Sequence, residues 1–211
     1  MRTNVFYGYG VFKIKSESMP RPSNRERIIN EGLRVVHERG FAGSSVRDIA
    51  QAASVPLGSF TNHFPSKEAF GLEVLDRYFE KLQAAMDQTL RNEALSVRAR
   101  INAYLDLVIA RLRENDMRGG CMVGNFSAEM ADHSEVLRMR LAKIVEGCGA
   151  EFKAVMKEGV ESGELRPDLD CEEAGAHVYA SIQGAILIAK VLRVETPLEN
   201  CRKQILRYLV K

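Results

Sequence analysis

Apolar residues recur at three- and four-residue intervals along almost the whole chain from Ile28 onward, and this spacing constrains the fold more than any other feature. Such a period places apolar side chains on one face of an α-helix. Segments that alternate apolar and polar residues, as half-buried strands require, are nearly absent. The sequence therefore predicts an all-α protein, and its 211 residues are enough to bury a substantial core.

Capping and breaking residues divide the N-terminal third into three helices. The first helix is predicted to begin after Ser23 and to end at Gly40, and a second helix of about two turns begins at Ser45. Pro56 then opens another short helix. Because two helices this short bury little apolar surface alone, the first helix must close their core. This order is the helix-turn-helix plan, with residues 57–64 as the recognition helix.

The rest of the chain is predicted to be a helical bundle. A long helix with Ser66 as N-cap is expected to reach about Leu90 and to join the two parts of the protein. Further helices are predicted near residues 96–114, 121–132, 135–162, 170–193 and 196–210. Residues 1–22 are predicted to be a disordered N-terminal extension, with Met19 an alternative start, because they lack the continuous apolar core of a signal peptide.

Charge is unevenly distributed along the chain. Residues 1–70 hold 10 Lys and Arg against 6 Asp and Glu, whereas residues 71–211 hold 20 against 22. A basic N-terminal part suits a polyanionic partner. The longest apolar stretch, residues 185–194, is interrupted by Lys190 and Arg193 and is too short to cross a bilayer. We therefore expect a cytoplasmic protein without a membrane span.

Motifs of catalysis and metal binding are missing from the sequence. The four cysteines contain no CxxC pair and no His at metal-ligand spacing, which argues against a disulfide framework, a metal site or a cofactor. No Gly-rich phosphate loop, nucleophile elbow, HExxH motif or carboxylate cluster is present. These observations argue against an enzyme.

Residues 43–70, GSSVRDIAQAASVPLGSFTNHFPSKEAF, resemble the DNA-binding signature of the TetR family along the whole segment. The match includes the DIA of the second helix, the GSF that opens the recognition helix and the HF-xx-KE entry to the fourth. The resemblance implies a helix-turn-helix domain over residues 23–68 and a C-terminal effector-binding and dimerisation domain over residues 69–211. It also implies a homodimer on near-palindromic double-stranded operator DNA, with half-sites roughly 34 Å apart.

Eight residues of this segment are predicted to contact DNA. They are Ser45, Arg47, Gly58, Ser59, Thr61, Asn62, His63 and Lys67. The polar side chains among them face outward when Phe60 and Phe64 turn to the core, as groove and phosphate contacts require. Ser45 and Lys67 lie at helix N-termini, which favour phosphate. The two small residues allow close backbone approach. Where the family usually has tyrosine, Thr61 keeps the hydroxyl but not its reach.

A second resemblance concerns the segment RGGCMVGNFSAEM, residues 118–130, which is similar to the NemR-like branch of electrophile-responsive repressors. A cysteine near a helix start gains thiolate character from the helix dipole. One hypothesis is that Cys121 is a sensor thiol with Lys190 as its basic neighbour. The alternative is that Cys121 packs a helix junction while Lys190 extends to solvent.

Other soft and polar residues are candidates for an effector pocket, because a few polar groups among Met and aromatic side chains characterise such cavities. They are Tyr104, Met122, Phe126, Glu129, Met130, Tyr179 and Gln183. His37 is expected on the exposed face of the first helix, and the three cysteines other than Cys121 are expected to be packing residues. Core residues are the alternative interpretation for all seven candidates.

The two longest predicted helices, 135–162 and 170–193, carry apolar stripes that suit an intersubunit four-helix bundle. The stripes are Val136, Ile144, Val145, Phe152, Val155 and Met156, then Val178, Ile182, Ala185, Ile186 and Ala189. A purely intramolecular bundle is the alternative. The sequence as a whole predicts a DNA-binding transcriptional regulator, and specifically a repressor released by a small effector or by thiol modification. An activator or a structural DNA-binding protein with the same motif stays open.

Overall fold

The computed structural model describes residues 23–209, so the prediction of a disordered extension at residues 1–22 lies outside the described residues. The all-α prediction is confirmed, because residues 23–209 form nine helices and no strand. The helices are α1 (Asn24–Arg39), α2 (Val46–Ala52), α3 (Leu57–His63), α4 (Lys67–Gln88), α5 (Val97–Arg113), α6 (Met122–Met130), α7 (Glu135–Glu161), α8 (Cys171–Leu192) and α9 (Thr196–Leu209).

Helix α2 starts with a reciprocal cap between Ser45 and Asp48. The Ser45 hydroxyl accepts from the Asp48 amide at 3.1 Å, while the Asp48 carboxylate accepts from the Ser45 amide at 2.9 Å. These two bonds satisfy backbone donors that a helix start leaves without partners. Hydrogen bonds from Ser45 also hold the pKa of Asp48 below its usual value. The cap fixes the direction in which α2 leaves the preceding loop.

Three phenylalanines hold the short helix α3 against α4. Phe60, Phe64 and Phe70 are each at most 1% exposed, and their ring centroids lie 5.1 to 5.3 Å apart. Burying each side chain stabilises the fold by about 1.5–3 kcal/mol. Since α3 has only seven residues, this aromatic contact rather than intrinsic helix propensity fixes its orientation.

The C-terminal part packs α7 against α8 and α8 against α9, with α5 along α7 and α9. Phe152 of α7 lies at its centre, edge-on to Tyr104 at 5.2 Å and 6.0 Å from the Tyr179 ring. Both tyrosines border the space described in the next subsection. Two phenol groups therefore lie where this core meets the cavity.

Helix α8 is longer and more apolar than residues 185–194 alone indicate. It is the one helix among residues 23–209 that is long and apolar enough to pass as a membrane span by length and composition. In the fold, α8 buries Val178, Ile182 and Ala189 against its neighbours, as a core helix does.

The predicted bundle stripes also need correction. Most of their members, including Ile144, Phe152 and Ile182, are buried inside the chain. The apolar side chains that α8 leaves exposed are Leu187, Ile188, Val191 and Leu192, between 51% and 71% exposed. Helical periodicity identifies an apolar face but not the helix that covers it. Here α7 and α8 pack against each other within one chain through most of the residues that were predicted to lie between subunits.

Candidate functional site

Helix α3 presents a row of polar side chains to solvent. Thr61, Asn62 and His63 are all exposed, while Phe60, which precedes them, and Phe64, which follows them, are buried. The Thr61 hydroxyl donates to the Gly58 carbonyl at 3.1 Å. Asn62 makes no side-chain hydrogen bond among residues 23–209, so its carboxamide is free to contact a partner.

Four small or basic residues lie near this row. Arg47 on α2 is exposed and makes no ion pair within the described part of the chain. A Cβ added at Gly58 would meet no atom within 4 Å, so the fold itself does not require glycine there. Ser59 is half-buried, and the Ser45 hydroxyl is occupied by the α2 cap. The open surface is therefore formed mainly by Arg47 and the row on α3.

Lys67 occupies a different environment from the one predicted. Its ammonium donates to the Phe41 carbonyl at 2.6 Å and lies 4.5 Å above the Phe41 ring. Partial burial lowers the pKa of Lys67, and Glu129 opposes that shift. The side chain therefore ties the start of α4 to the loop before α2 instead of pointing freely into solvent.

The charge of the described DNA-binding segment is small. Residues 23–70 hold six Lys and Arg against five Asp and Glu. Most of the net positive charge of residues 1–70 therefore belongs to the first 22 residues, which lie outside the described range. Local side chains, not a large positive field, distinguish the exposed face of α3.

A cavity of about 400 Å³ opens between the helix-turn-helix and the C-terminal bundle. It brings together four of the predicted effector residues, Cys121, Tyr104, Tyr179 and Gln183. The other residues that line the cavity were not predicted from the sequence. They are Leu33, His37, Tyr78, Lys81, Leu82, Ala84, Val108, Arg111, Leu112, Asn115, Arg118, Gly120, Cys148 and Ile186. This volume lies within the usual range for small-molecule sites.

Cys121 is the N-cap residue of α6 and is half-buried in the cavity wall. The Tyr78 hydroxyl lies 4.0 Å from Cys121 Sγ and accepts from the Met122 amide at 3.3 Å. Burial raises the pKa of Tyr78 well above its ordinary value. The Tyr78 side chain beside the Cys121 thiol is therefore a neutral phenol.

The Lys190 side chain passes beside Gly120, the residue before Cys121, but its ammonium is bound to another group. Its ammonium donates to Asn125 Oδ1 at 3.1 Å and lines a neighbouring polar cleft of about 550 Å³. That cleft also contains Glu129, another predicted effector residue. The Glu129 carboxylate accepts from the Ala42 amide at 2.7 Å and so joins α6 to the loop between α1 and α2.

Three other predicted effector residues on α6 do not line the cavity. Met122 and Phe126 are each 1% exposed, and Met130 packs against the same core. The Phe126 ring lies 4.9 Å from that of Phe41. Because α6 turns this face toward the helix-turn-helix, these residues are core residues rather than cavity residues.

His37 was expected on an exposed face, and this expectation is wrong. The side chain is half-buried, and Nε2 lies 2.9 Å from the Gly120 carbonyl oxygen. The imidazole centroid is also 6.1 Å from the Tyr78 ring. His37 therefore lines the cavity from α1, the helix that closes the core of α2 and α3.

Cys148 is a second thiol in the cavity wall, although it is 1% exposed. Burial raises its pKa to about 11, while a hydrogen bond with Tyr179 opposes the shift. Burial likewise raises the pKa of Tyr104 and Tyr179. At neutral pH the Cys148 thiol and both phenols are therefore protonated.

Comparisons with known proteins agree with this architecture. Residues 28–74 match the profile of bacterial regulatory proteins of the tetR family, and residues 98–205 match that of the tetracyclin repressor-like C-terminal domain. The chain is 40% identical to the HTH-type transcriptional repressor DhaR of Mycobacterium sp. (strain GP1), over 86% of this chain and 90% of DhaR. It is 31% identical to the repressor NemR of Escherichia coli K12, over 83% of this chain and 88% of NemR.

A solved structure has the same arrangement of helices. The regulatory protein TetR from Rhodobacter sphaeroides superposes with a TM-score of 0.85 at 28% identity, covering 89% of this chain and 99% of that one. The resemblance to NemR is confirmed at 31% identity, although DhaR shares more residues with this chain. The relatives are transcriptional regulators rather than enzymes. Taken with the exposed face of α3, these matches show that the chain belongs to the TetR family of bacterial regulatory proteins.

Proposed function

We propose that this protein is a homodimeric transcriptional repressor that binds a near-palindromic operator and releases it when a small effector or thiol reagent acts at the cavity. The observation that carries the proposal is the exposed polar row of α3, held outward by the buried rings of Phe60 and Phe64. Direct readout of base edges needs side chains presented in this way on a short helix. Both curated relatives reported above are named as repressors.

Dimerisation is supported by the outer face of α8. Leu187, Ile188 and Val191 are more than half exposed, which is unusual for a cluster on one helix of a soluble protein. Gly184 precedes them on the exposed side, and a Cβ added there would meet nothing within 4 Å. A second α8 therefore has room to approach closely and cover the apolar side chains.

Release requires that the cavity favour another orientation of the DNA-binding helices. Two contacts support such coupling. The His37 ring touches the cavity through Gly120, and the Tyr78 hydroxyl on α4 touches Cys121 and the first turn of α6. An adduct on Cys121 would compete for the space of both rings. Since α1 and α4 also pack on α2 and α3, their displacement would change the spacing of the two recognition helices.

The first test is selection of bound duplexes from a random DNA pool, with the purified full-length protein at physiological salt. Phosphate contacts alone give strong binding at low salt, so the salt concentration decides what the experiment reports. We expect enrichment of a near-palindrome with half-sites about one DNA turn apart. Recovery of unenriched DNA by a folded dimer would contradict sequence-specific repression. A promoter reporter carrying the selected site then separates a repressor from an activator.

The thiol arm has its own matched pair of variants. Cys121→Ser should abolish release of the operator by N-ethylmaleimide, whereas Cys148→Ser should respond like the parent protein. The reason is that Cys148 is buried and its pKa of about 11 keeps it protonated at neutral pH. Operator binding by fluorescence anisotropy, with mass spectrometry of the adduct, checks both. Unchanged release in Cys121→Ser would exclude this residue as the sensor, while the operator selection would still stand.

A further inference from the structure

The mouth of the cavity has an unusual charge pattern. Lys81 on α4, Arg111 on α5 and Arg118 in the loop before α6 all line it. None of the three makes an ion pair within residues 23–209, whereas many other arginines of the chain do. Of the described residues that line this cavity, none is an Asp or Glu. Three elements therefore bring cations to one opening without bringing a counter-charge.

The neighbouring acidic residues do not remove this imbalance. Glu114 and Asp116 flank Asn115 in the same loop, but Asn115 is the one that lines the cavity. Both acidic residues are exposed, as are the three cations. Glu38 and Glu129 line the adjacent cleft that Arg118 also borders, but Glu38 pairs with Arg34 and the Glu129 carboxylate accepts from the Ala42 amide. The cavity mouth remains a site where an anion would gain favourable electrostatic interactions.

The interior of the cavity supplies unused hydrogen-bond donors. Tyr104 is 4% exposed, yet its hydroxyl has no hydrogen-bond partner among the described residues. Gln183 also lines the cavity without a side-chain hydrogen bond in that part of the chain. The Tyr104 hydroxyl and the Gln183 carboxamide are therefore available to hydrogen-bond a ligand that enters the cavity.

We propose that the effector of this cavity is an organic anion with an apolar body, a carboxylate being the simplest case. Arg111 and Arg118 hold the anionic group at the mouth, with Lys81 adding positive charge. The body of the ligand extends inward past Leu82 and Val108 and accepts a hydrogen bond from Tyr104. This inference rests on the proposed function, because it names the chemical class of the effector.

The arrangement also orders the ligand relative to the thiol. Arg118 lies three residues before Cys121, and both line the same cavity. A ligand anchored by its anionic group at the mouth presents its other end to the inner wall, where Tyr104 and the two thiols lie. The same cavity can then respond to bound anions without any covalent step.

Matched pairs of small compounds test the proposal without DNA. Hexanoate and hexanamide, benzoate and benzamide, and phenylacetate and phenylacetamide differ in charge but hardly in shape. We expect each carboxylate to bind the full-length protein at least tenfold more tightly than its amide by titration calorimetry, with affinity falling as NaCl is raised. Equal affinity within the pairs would overturn the proposal, as would a set in which no carboxylate binds.

Variants locate the binding site. Arg111→Gln and Arg118→Gln should each weaken carboxylate binding about tenfold while leaving the small affinity for the amides within about twofold. Arg98→Gln, an exposed cation at the other end of α5, is the matched control and should change neither. Thermal unfolding of each free variant checks that the fold is kept. Loss of binding in Arg98→Gln alone would place the anion elsewhere and overturn the assignment.

Failure of this inference and failure of the proposed repressor function give different results. Selection of an operator together with equal binding of acids and amides would leave the repressor in place and make its effector neutral. Tight binding of carboxylates without any selected operator would keep the anion site and remove the repressor. Operator release by the carboxylate but not by the amide joins the two conclusions.

Discussion

The two halves of the molecule are built from the same kind of helix but assemble their sites differently. The exposed polar row of Thr61, Asn62 and His63 comes from one helix of seven residues, whose orientation is set by a nearby aromatic cluster. The cavity has walls from five helices and one loop, and its lining residues extend along the chain from Leu33 to Ile186. A surface made by one element follows from a local motif, whereas a cavity depends on how distant elements meet.

Helix α1 belongs to both halves. Its buried residues Ile28, Ile29 and Val36 close the core of the helix-turn-helix, while His37 contacts the cavity wall at Gly120. The predicted boundary near residue 68 therefore separates two sequence motifs without separating two independent sets of contacts. Communication between the halves needs no long chain of intermediates, because one helix reaches both.

The largest effect is expected from disrupting the proposed dimer. Val191 is 71% exposed in the single chain, so Val191→Asp should not disturb the fold. In a dimer, the same carboxylate would be buried against a second α8 without a partner. We expect a monomer by sedimentation velocity and a loss of operator affinity of at least about 100-fold, because the two half-sites are no longer linked.

The control for this change is Ala94→Asp, which adds the same charge at an exposed position between α4 and α5. It should remain dimeric and bind the operator normally. A Val191→Asp protein that still sediments as a dimer would move the interface away from the exposed face of α8. The row on α3 would then have to be paired by another surface.

A smaller effect is expected when the exposed polar row of α3 is changed. Asn62→Ala removes a free, exposed carboxamide, so folding stability should change by less than about 0.5 kcal/mol. Operator binding should weaken by about 1–3 kcal/mol, while binding to random DNA stays nearly constant. Arg47→Gln should instead weaken both, as a phosphate contact does. Competition anisotropy against random duplex separates the two outcomes, and equal losses on both DNAs would remove Asn62 from base readout.

Local signals made the helices predictable. Each predicted helix agrees with the structure to within two residues at its ends, because side-chain caps such as Ser23, Ser45, Ser66 and Asp170 satisfy the first backbone amides. The exposure of the polar row of α3 was predictable in the same way, because the burial of Phe60 and Phe64 leaves the opposite face of this short helix in solvent. These features need only the residues within one or two turns.

The cavity could be predicted only in part, for a physical reason. Tyr104 and Phe126 are both aromatic residues on helices with apolar stripes, yet one lines the cavity and the other packs on Phe41. Periodicity identifies a buried face without saying what it is buried against. His37 was misplaced for the same reason, because its helix face looks polar in sequence and is covered by the loop at Gly120.

A contact between the halves can be weakened at His37. The imidazole joins α1 to the Gly120 carbonyl, and one such hydrogen bond contributes about 0.5–1.5 kcal/mol. In His37→Ala, the ratio of operator affinities before and after N-ethylmaleimide modification should fall about fivefold relative to the parent protein. His133→Ala is the control, because this histidine is exposed in the turn before α7. An unchanged ratio would show that the signal passes through α4 instead.

The smallest effect is expected from Gly58→Ala, which should raise folding stability but lower operator affinity. A Cβ at Gly58 meets no atom within 4 Å, and alanine is favoured over glycine in a helix, so Gly58→Ala should stabilise the fold by about 0.5–1 kcal/mol. Gly149→Ala in α7, where the added Cβ is also unobstructed, should give a similar gain in urea unfolding. Only Gly58→Ala should weaken operator binding, because the methyl group would separate the α3 backbone from the DNA. If both variants bind the operator like the parent protein, the backbone at Gly58 does not approach DNA closely, and readout depends on the side chains of Thr61, Asn62 and His63.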